Sequence, residues 1–261
     1  MTTAANTHPR PRRTGRAPAR AVVAGLGAAT LFGGGCAGEI VSSEPDADET
    51  SDAAAHPDDD LECHDWLEAA GAEFSPAGAT PGVDDPVEVF TPISGIGYRA
   101  SWLEEPRDSL FMDCELARSL VVAAPYLQER DIVEVADMGV YNYRCIGGGT
   151  PGEDCPEDEA SQHAYAMAID IAGFTTSGGE FLSVEDDWII DPDDVPTCEA
   201  EAQGDKNALL HELMCELKGD GVWNIVLTPN YNAAHRDHFH VDLTEGGDFI
   251  RSRPEHGWPA H

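Results

Sequence analysis

Positive charge is scarce in this sequence: 15 Lys and Arg face 49 Asp and Glu, for a formal net charge of −34 at pH 7. Beyond Cys36 only ten basic residues remain against all 49 acids. Such a chain repels phosphate backbones and anionic lipid surfaces, which argues against nucleic acid and membrane surfaces as partners. A membrane-spanning run is missing too: the apolar stretch 21–32 has twelve residues, too few to cross a bilayer. No Cys-x-x-Cys occurs, so a cysteine zinc site is not expected. The absence of Gly-x-Ser-x-Gly argues against a serine hydrolase. No EF-hand loop is present, and Asp191-x-Asp193-Asp194 stands as a minor calcium candidate. No internal repeat divides the chain.

The N-terminus holds five Arg (Arg10, Arg12, Arg13, Arg16 and Arg20) and no acid before Glu39. A basic region followed by a short apolar one reads as an export signal. Arg12-Arg13 is followed by Thr-Gly-Arg rather than apolar residues, unlike a twin-arginine signal. The sequence then reads Gly33-Gly34-Gly35-Cys36, which resembles a bacterial lipoprotein box with Cys36 as the lipidated residue. Gly33 stands where such boxes usually carry Leu, so ordinary signal cleavage is the alternative. With Cys36 set aside, six cysteines remain (Cys63, Cys114, Cys145, Cys155, Cys198 and Cys215), enough for three disulfides in an exported chain. Cys198 with Cys215 is the first pairing expected, because it ties a loop to the helix after it.

Three segments follow: 1–36 as signal; 37–92 as an acidic, Pro/Gly-rich, largely disordered tether; and 93–261 as the folded domain. A helix is predicted over 113–130, with Asp113 as cap, Leu116, Leu120, Val121, Ala124 and Leu127 at helical spacing, and Pro125 as a kink or early stop. A second spans 207–218 and ends at Gly219–Gly221. Strands are predicted at 132–141, 222–227 and 238–243. Regular crossover helices are lacking, which points to an α+β fold with a small antiparallel sheet flanked by helices.

Two motifs carry chemistry. In Asp237-His238-Phe239-His240-Val241-Asp242, strand alternation sets His238 and His240 on one face. In Ser161-Gln162-His163-Ala164-Tyr165-Ala166-Met167-Ala168-Ile169-Asp170, Asp170 sits in a small, apolar run where a carboxylate is costly unless paired or bound to a cation. Together they offer two His and one carboxylate, with a His to spare: the ligand count of a catalytic zinc ion that keeps one position for water. Iron(II) oxygenases use the same set, but usually with His and Asp two apart, whereas His163 and Asp170 are seven apart.

Ser-x-His-x-x-x-x-Ala-x-Asp followed by Asp-His-x-His resembles the zinc peptidases of the D-alanyl-D-alanine carboxypeptidase group, which share a fold with penicillin-insensitive murein endopeptidases and the Hedgehog signalling domain. Tyr141-Asn142-Tyr143-Arg144 and the run from Asn230 to His240 resemble the bacterial extensin-like C-terminal domain family. The resemblance covers roughly 93–244. It implies one Zn2+ held by His163, Asp170 and His240; a substrate-binding Arg144; Ser161 on the substrate or capping the turn before His163; and His235 at the site or in a surface loop. It also implies Asp237 as general base with His238 stabilising the reacting group. Strand periodicity instead favours His238 as the base, and both readings stand. Ala166 departs from the Gly usual in the peptidase motif. The expected function is a zinc-dependent D,D-peptidase, carboxypeptidase or endopeptidase, acting on peptidoglycan stem peptides in the cell envelope. The alternative is a non-catalytic, metal-stabilised wall-binding lipoprotein. Membrane contact is expected only through the N-terminal lipid.

Overall fold

The computed structural model describes residues 57–251 except 59 and 192–194. The predicted signal, Cys36, the tether up to 56, and Asp193 and Asp194 of the calcium candidate lie outside the described residues. Among those described, no helix is long and apolar enough to cross a membrane.

The fold is α+β. Its elements are α1 (Cys63–Ala69), β1 (Phe74–Pro76), β2 (Pro86–Phe90), β3 (Gly97–Ala100), β4 (Ser109–Asp113), α2 (Cys114–Gln128), β5 (Ile132–Gly139), β6 (Ala168–Thr176), β7 (Phe181–Ser183), α3 (Val184–Asp187), α4 (Asp205–Gly219), β8 (Ile225–Leu227), β9 (Phe239–Asp242) and β10 (Phe249–Arg251). A seven-stranded sheet runs β10-β8-β9-β6-β5-β3, with β7 also on β6; β1, β2 and β4 form a three-stranded antiparallel sheet. The main sheet is therefore larger than expected, and mixed. β3 pairs β5 in parallel, as does β10 with β8. The β3–β5 connection passes through β4 and α2, long enough to bring the chain back in the same direction.

Both expected helices form where their apolar spacing lies. On α2, Leu116, Leu120, Val121, Ala124 and Leu127 are all buried, and Asp113 caps it by accepting from the Glu115 N–H at 3.1 Å. Pro125 does not end this helix, which continues to Gln128. Burial on both sides of the proline outweighs the lost backbone hydrogen bond. On α4, Leu210, Leu213, Met214 and Leu217 are fully buried, and Gly221 follows it at φ +75°.

The largest correction concerns residues 57–92. They were expected to be mostly tether, with the domain starting at 93, yet Trp66 and Leu67 of α1 and Val87 and Val89 of β2 lie in the core. β2 is also the strand on which β4 pairs. A Pro/Gly-rich composition resembles a linker, but here it reflects turns between very short elements.

Three disulfides close the chain: Cys63–Cys114, Cys145–Cys155 and Cys198–Cys215. The last is the pairing expected from sequence. Its sequence separation of 17 residues puts its contribution at about 3 kcal/mol. Replacing both Cys198 and Cys215 by Ser is expected to lower unfolding free energy by about 2–4 kcal/mol, measured from denaturant midpoints at constant m.

Candidate metal centre

The site is built where β6 meets β9. These strands are antiparallel, and Asp170 lies directly opposite His240, so both side chains project from one face. His163 arrives from the turn before β6. There the Ser161 hydroxyl oxygen accepts from the His163 N–H at 3.4 Å and caps the short 3-10 helix Gln162–Tyr165. The turn ends at Ala166 with φ 52° and ψ 29°. A left-handed alanine costs about 1–2 kcal/mol relative to ordinary backbone. Tertiary packing holds it: Ala166 is fully buried, and its carbonyl accepts from the N–H of Asp113, the α2 cap, at 3.1 Å. The turn is braced from its other side by the segment before β2. Gly82, at φ +80°, approaches so closely that a Cβ would stand 2.3 Å from the Ala164 carbonyl oxygen.

Three ligand atoms converge. His163 Nε2 is 3.1 Å from Asp170 Oδ1 and 3.1 Å from His240 Nδ1, and His240 Nδ1 is 2.9 Å from Asp170 Oδ1. Zinc–ligand bonds of about 2.0–2.1 Å set neighbouring tetrahedral ligands about 3.3 Å apart. This triangle reaches that size by opening a few tenths of an ångström, so the donor set suits a zinc-like cation. The far nitrogens are also held. His163 Nδ1 donates to the Val140 carbonyl at 2.7 Å, so that a neutral ring would turn its Nε2 lone pair towards the cluster, whereas a charged ring donates from Nε2 to Asp170. His240 Nε2 meets Asp242 Oδ2 at 2.9 Å. Such outer acceptors fix ring orientation and raise ligand basicity.

Charge is matched within the cluster. Burial alone would raise the Asp170 carboxyl, but hydrogen bonds from His163 and His240, and their charge, hold it well below the usual carboxylate range. Burial disfavours the charged form of His240. Its hydrogen bonds to Asp170 and Asp242 outweigh that and raise it to about 9. A proton and a metal ion serve the same end here: either one supplies positive charge among buried carboxylates.

Around this triangle lie the other expected residues. Asp237 and His238 precede β9, whose first residue is Phe239, so Asp237 is free of strand alternation. Its Oδ1 accepts from His238 Nδ1 at 2.8 Å, while His238 Nε2 stands 3.7 Å from Asp170 Oδ1. Thus His238 reaches the cluster directly and Asp237 touches His238. His235 is no isolated loop residue: its ring centroid lies 5.2 Å from that of His238, 6.1 Å from that of His240 and 5.3 Å from that of Tyr231. Asn232 Oδ1 holds its Nδ1 at 2.8 Å. Burial first, then the neighbouring His238 and His240, push His235 down to about 4. Arg144 is joined through its backbone to Ser161, whose N–H donates to the Arg144 carbonyl at 3.0 Å. Its guanidinium reaches the Cys145 carbonyl at 3.5 Å. Among the described residues it has no carboxylate partner.

Asp242 and the Val140 carbonyl were missed in the sequence reading. Asp242 had a signal, since it stands two residues after His240 on the same strand; a backbone carbonyl leaves none. Asp191, the described member of the calcium candidate, has its carboxylate engaged by Asn230, with His211 Nε2 at 3.5 Å. A second metal-like grouping, Cys63, Asp85 and Cys114, is not a site because its two cysteines form a disulfide.

No curated protein and no solved structure matches the chain. One family model does, the extensin-like protein C-terminus, over residues 75–251. That span holds both ligand-bearing segments and also β2, consistent with a domain that begins before residue 93. The chain therefore belongs to the extensin-like protein C-terminus family.

Proposed function

We propose that this protein is a zinc-dependent D,D-peptidase, of the D-alanyl-D-alanine carboxypeptidase and Hedgehog type of fold, acting on peptidoglycan stem peptides in the cell envelope. The observation that carries the reading is the triangle of His163 Nε2, Asp170 Oδ1 and His240 Nδ1, with sides of 2.9–3.1 Å. A zinc ion held there would acidify a bound water and polarise a scissile carbonyl. Export as a lipoprotein through Cys36 belongs to the same proposal, and three disulfides suit an oxidising compartment.

The chain's own residues would divide the work as follows. His238 donates its Nδ1 proton to Asp237, so its Nε2 carries the lone pair on the side of Asp170. That nitrogen takes a proton from water and returns it to the leaving amine. Asp237 fixes the tautomer and stabilises the imidazolium that forms. Arg144, without a carboxylate partner among the described residues, receives the substrate carboxylate. Ser161 holds the His163 turn by its cap. Asp242 keeps His240 aimed.

The test is incubation of the zinc-loaded chain with muropeptides and tracking of product mass. Loss of a terminal D-alanine marks a carboxypeptidase, cleavage of a cross-link an endopeptidase, and intact but bound peptide a binding protein. His238→Ala is expected to slow cleavage by about a hundred- to ten-thousand-fold, with Asp237→Asn the milder of the two. A stronger effect at Asp237 would make it the base. Asp242→Asn is expected to weaken zinc affinity by about 10- to 100-fold with little change in fold, read by competition with a chromogenic chelator.

A further inference from the structure

Charge pairing across the molecule sets two arginines apart. Of the eight Lys and Arg whose side chains are described, six lie within ion-pair distance of carboxylates, from the Arg107–Asp137 fork at 2.8 Å to the Lys218–Asp248 pair at the surface. Arg144 and Arg236 have no carboxylate partner among the described residues. In a chain of net charge −34, an unmet guanidinium is hard to keep by chance. Both belong to the loops that build the metal centre. Arg144 is hydrogen-bonded through its backbone to Ser161, two residues before His163. Arg236 stands between His235 and Asp237, each of which meets His238. The neighbouring Asp237 has its Oδ1 on His238.

We infer that Arg236 is a specificity residue: it receives a second carboxylate of a peptide ligand whose terminal carboxylate lies on Arg144. The inference rests on the peptidase reading for its choice of ligand. A guanidinium matches a carboxylate in charge and in planar two-point geometry. A polyanion is the poorer fit, because the surrounding surface would repel it. Since Arg144 and Arg236 belong to different loops of one centre, a ligand that meets both carries its two charges at separate positions. That describes a peptide with an acidic side chain upstream of its C-terminus.

Two synthetic pentapeptides ending in D-alanyl-D-alanine serve as probes, one with Glu upstream and the other with Gln at that position. Binding to the zinc-loaded chain is measured by calorimetry, and cleavage is followed in the same samples. The chain is expected to bind the Glu peptide about tenfold more tightly, as one charge-assisted hydrogen-bonded contact would give. Arg236→Gln should abolish that preference and leave the Gln peptide unchanged; Arg236→Lys should restore part of it. In cleavage the loss should fall on KM rather than kcat. Equal binding of the two peptides by the unaltered chain, binding of neither, or an equal loss of both on Arg236→Gln would overturn the inference. The two readings fail separately. Discrimination between peptides that are never cleaved would remove the peptidase and leave the carboxylate subsite. Equally efficient cleavage of both would do the reverse.

Discussion

Zinc uptake is expected to fall from about one ion per chain to none when His240 is replaced by Ala. The remaining ligands, His163 and Asp170, would be one short of the three protein donors that a zinc site with an open position needs. The change also removes more than one bond. Asp242 loses the imidazole it orients, and Asp170 loses one of its two closest hydrogen-bond donors, at 2.9 Å. Metal analysis of the dialysed protein checks the stoichiometry. Thermal unfolding gives a second readout: a ligand that binds only the folded state at a thousandfold above its Kd stabilises it by about 4 kcal/mol. The midpoint of the unaltered chain should therefore rise with zinc, and that of the His240→Ala chain should not. An unaltered chain that takes up no zinc, or a variant that keeps a full ion, would defeat the metal reading and the peptidase proposal with it.

Removing everything before Ile93 is expected to abolish folding. Trp66, Leu67, Val87 and Val89 are each at most 1% exposed. Burial of such a side chain stabilises by roughly 1.5–3 kcal/mol, so four of them approach the whole 5–15 kcal/mol by which a domain is stable. The truncation also strips β2 from β4 and leaves Cys114 without Cys63. It takes away Gly82, whose backbone braces the turn that presents His163. Near-ultraviolet circular dichroism and amide dispersion report the outcome. Trp66→Ala is the single-residue version, expected to cost about 3–5 kcal/mol. Cooperative unfolding of the truncated chain at the midpoint of the longer one would show that the domain does begin at 93.

Several elements were legible because local chemistry decided them. The helical spacing on α2 and α4 is dense enough to fix both, and Asp113 caps the first as a short acidic side chain should. Cys198 and Cys215 pair as their positions beside one helix suggested. The α+β class followed from interspersed elements, but the sheet did not. Its edges are strands of three and four residues, β10 and β3, too short to leave a periodic signal. Their parallel pairing depends on where long connections return. The N-terminal segment was misread for a related reason. Turns dominate its composition, while its few apolar residues acquire meaning only against α2 and β4.

By itself the sequence determined which residues can do metal chemistry. His163, Asp170 and His240 are groups whose cost of burial demands a partner, and that cost is a property of the side chain. The tertiary structure decided which atoms meet. The antiparallel register of β6 and β9 sets Asp170 against His240, the left-handed turn at Ala166 brings in His163, and strand entry at Phe239 frees Asp237 to hold His238. Hydrogen bonds depend on distances of tenths of an ångström between residues 70 or more positions apart. Only packing sets such distances, so the contacts of Asp242 and the Val140 carbonyl with the two imidazoles appeared with the fold.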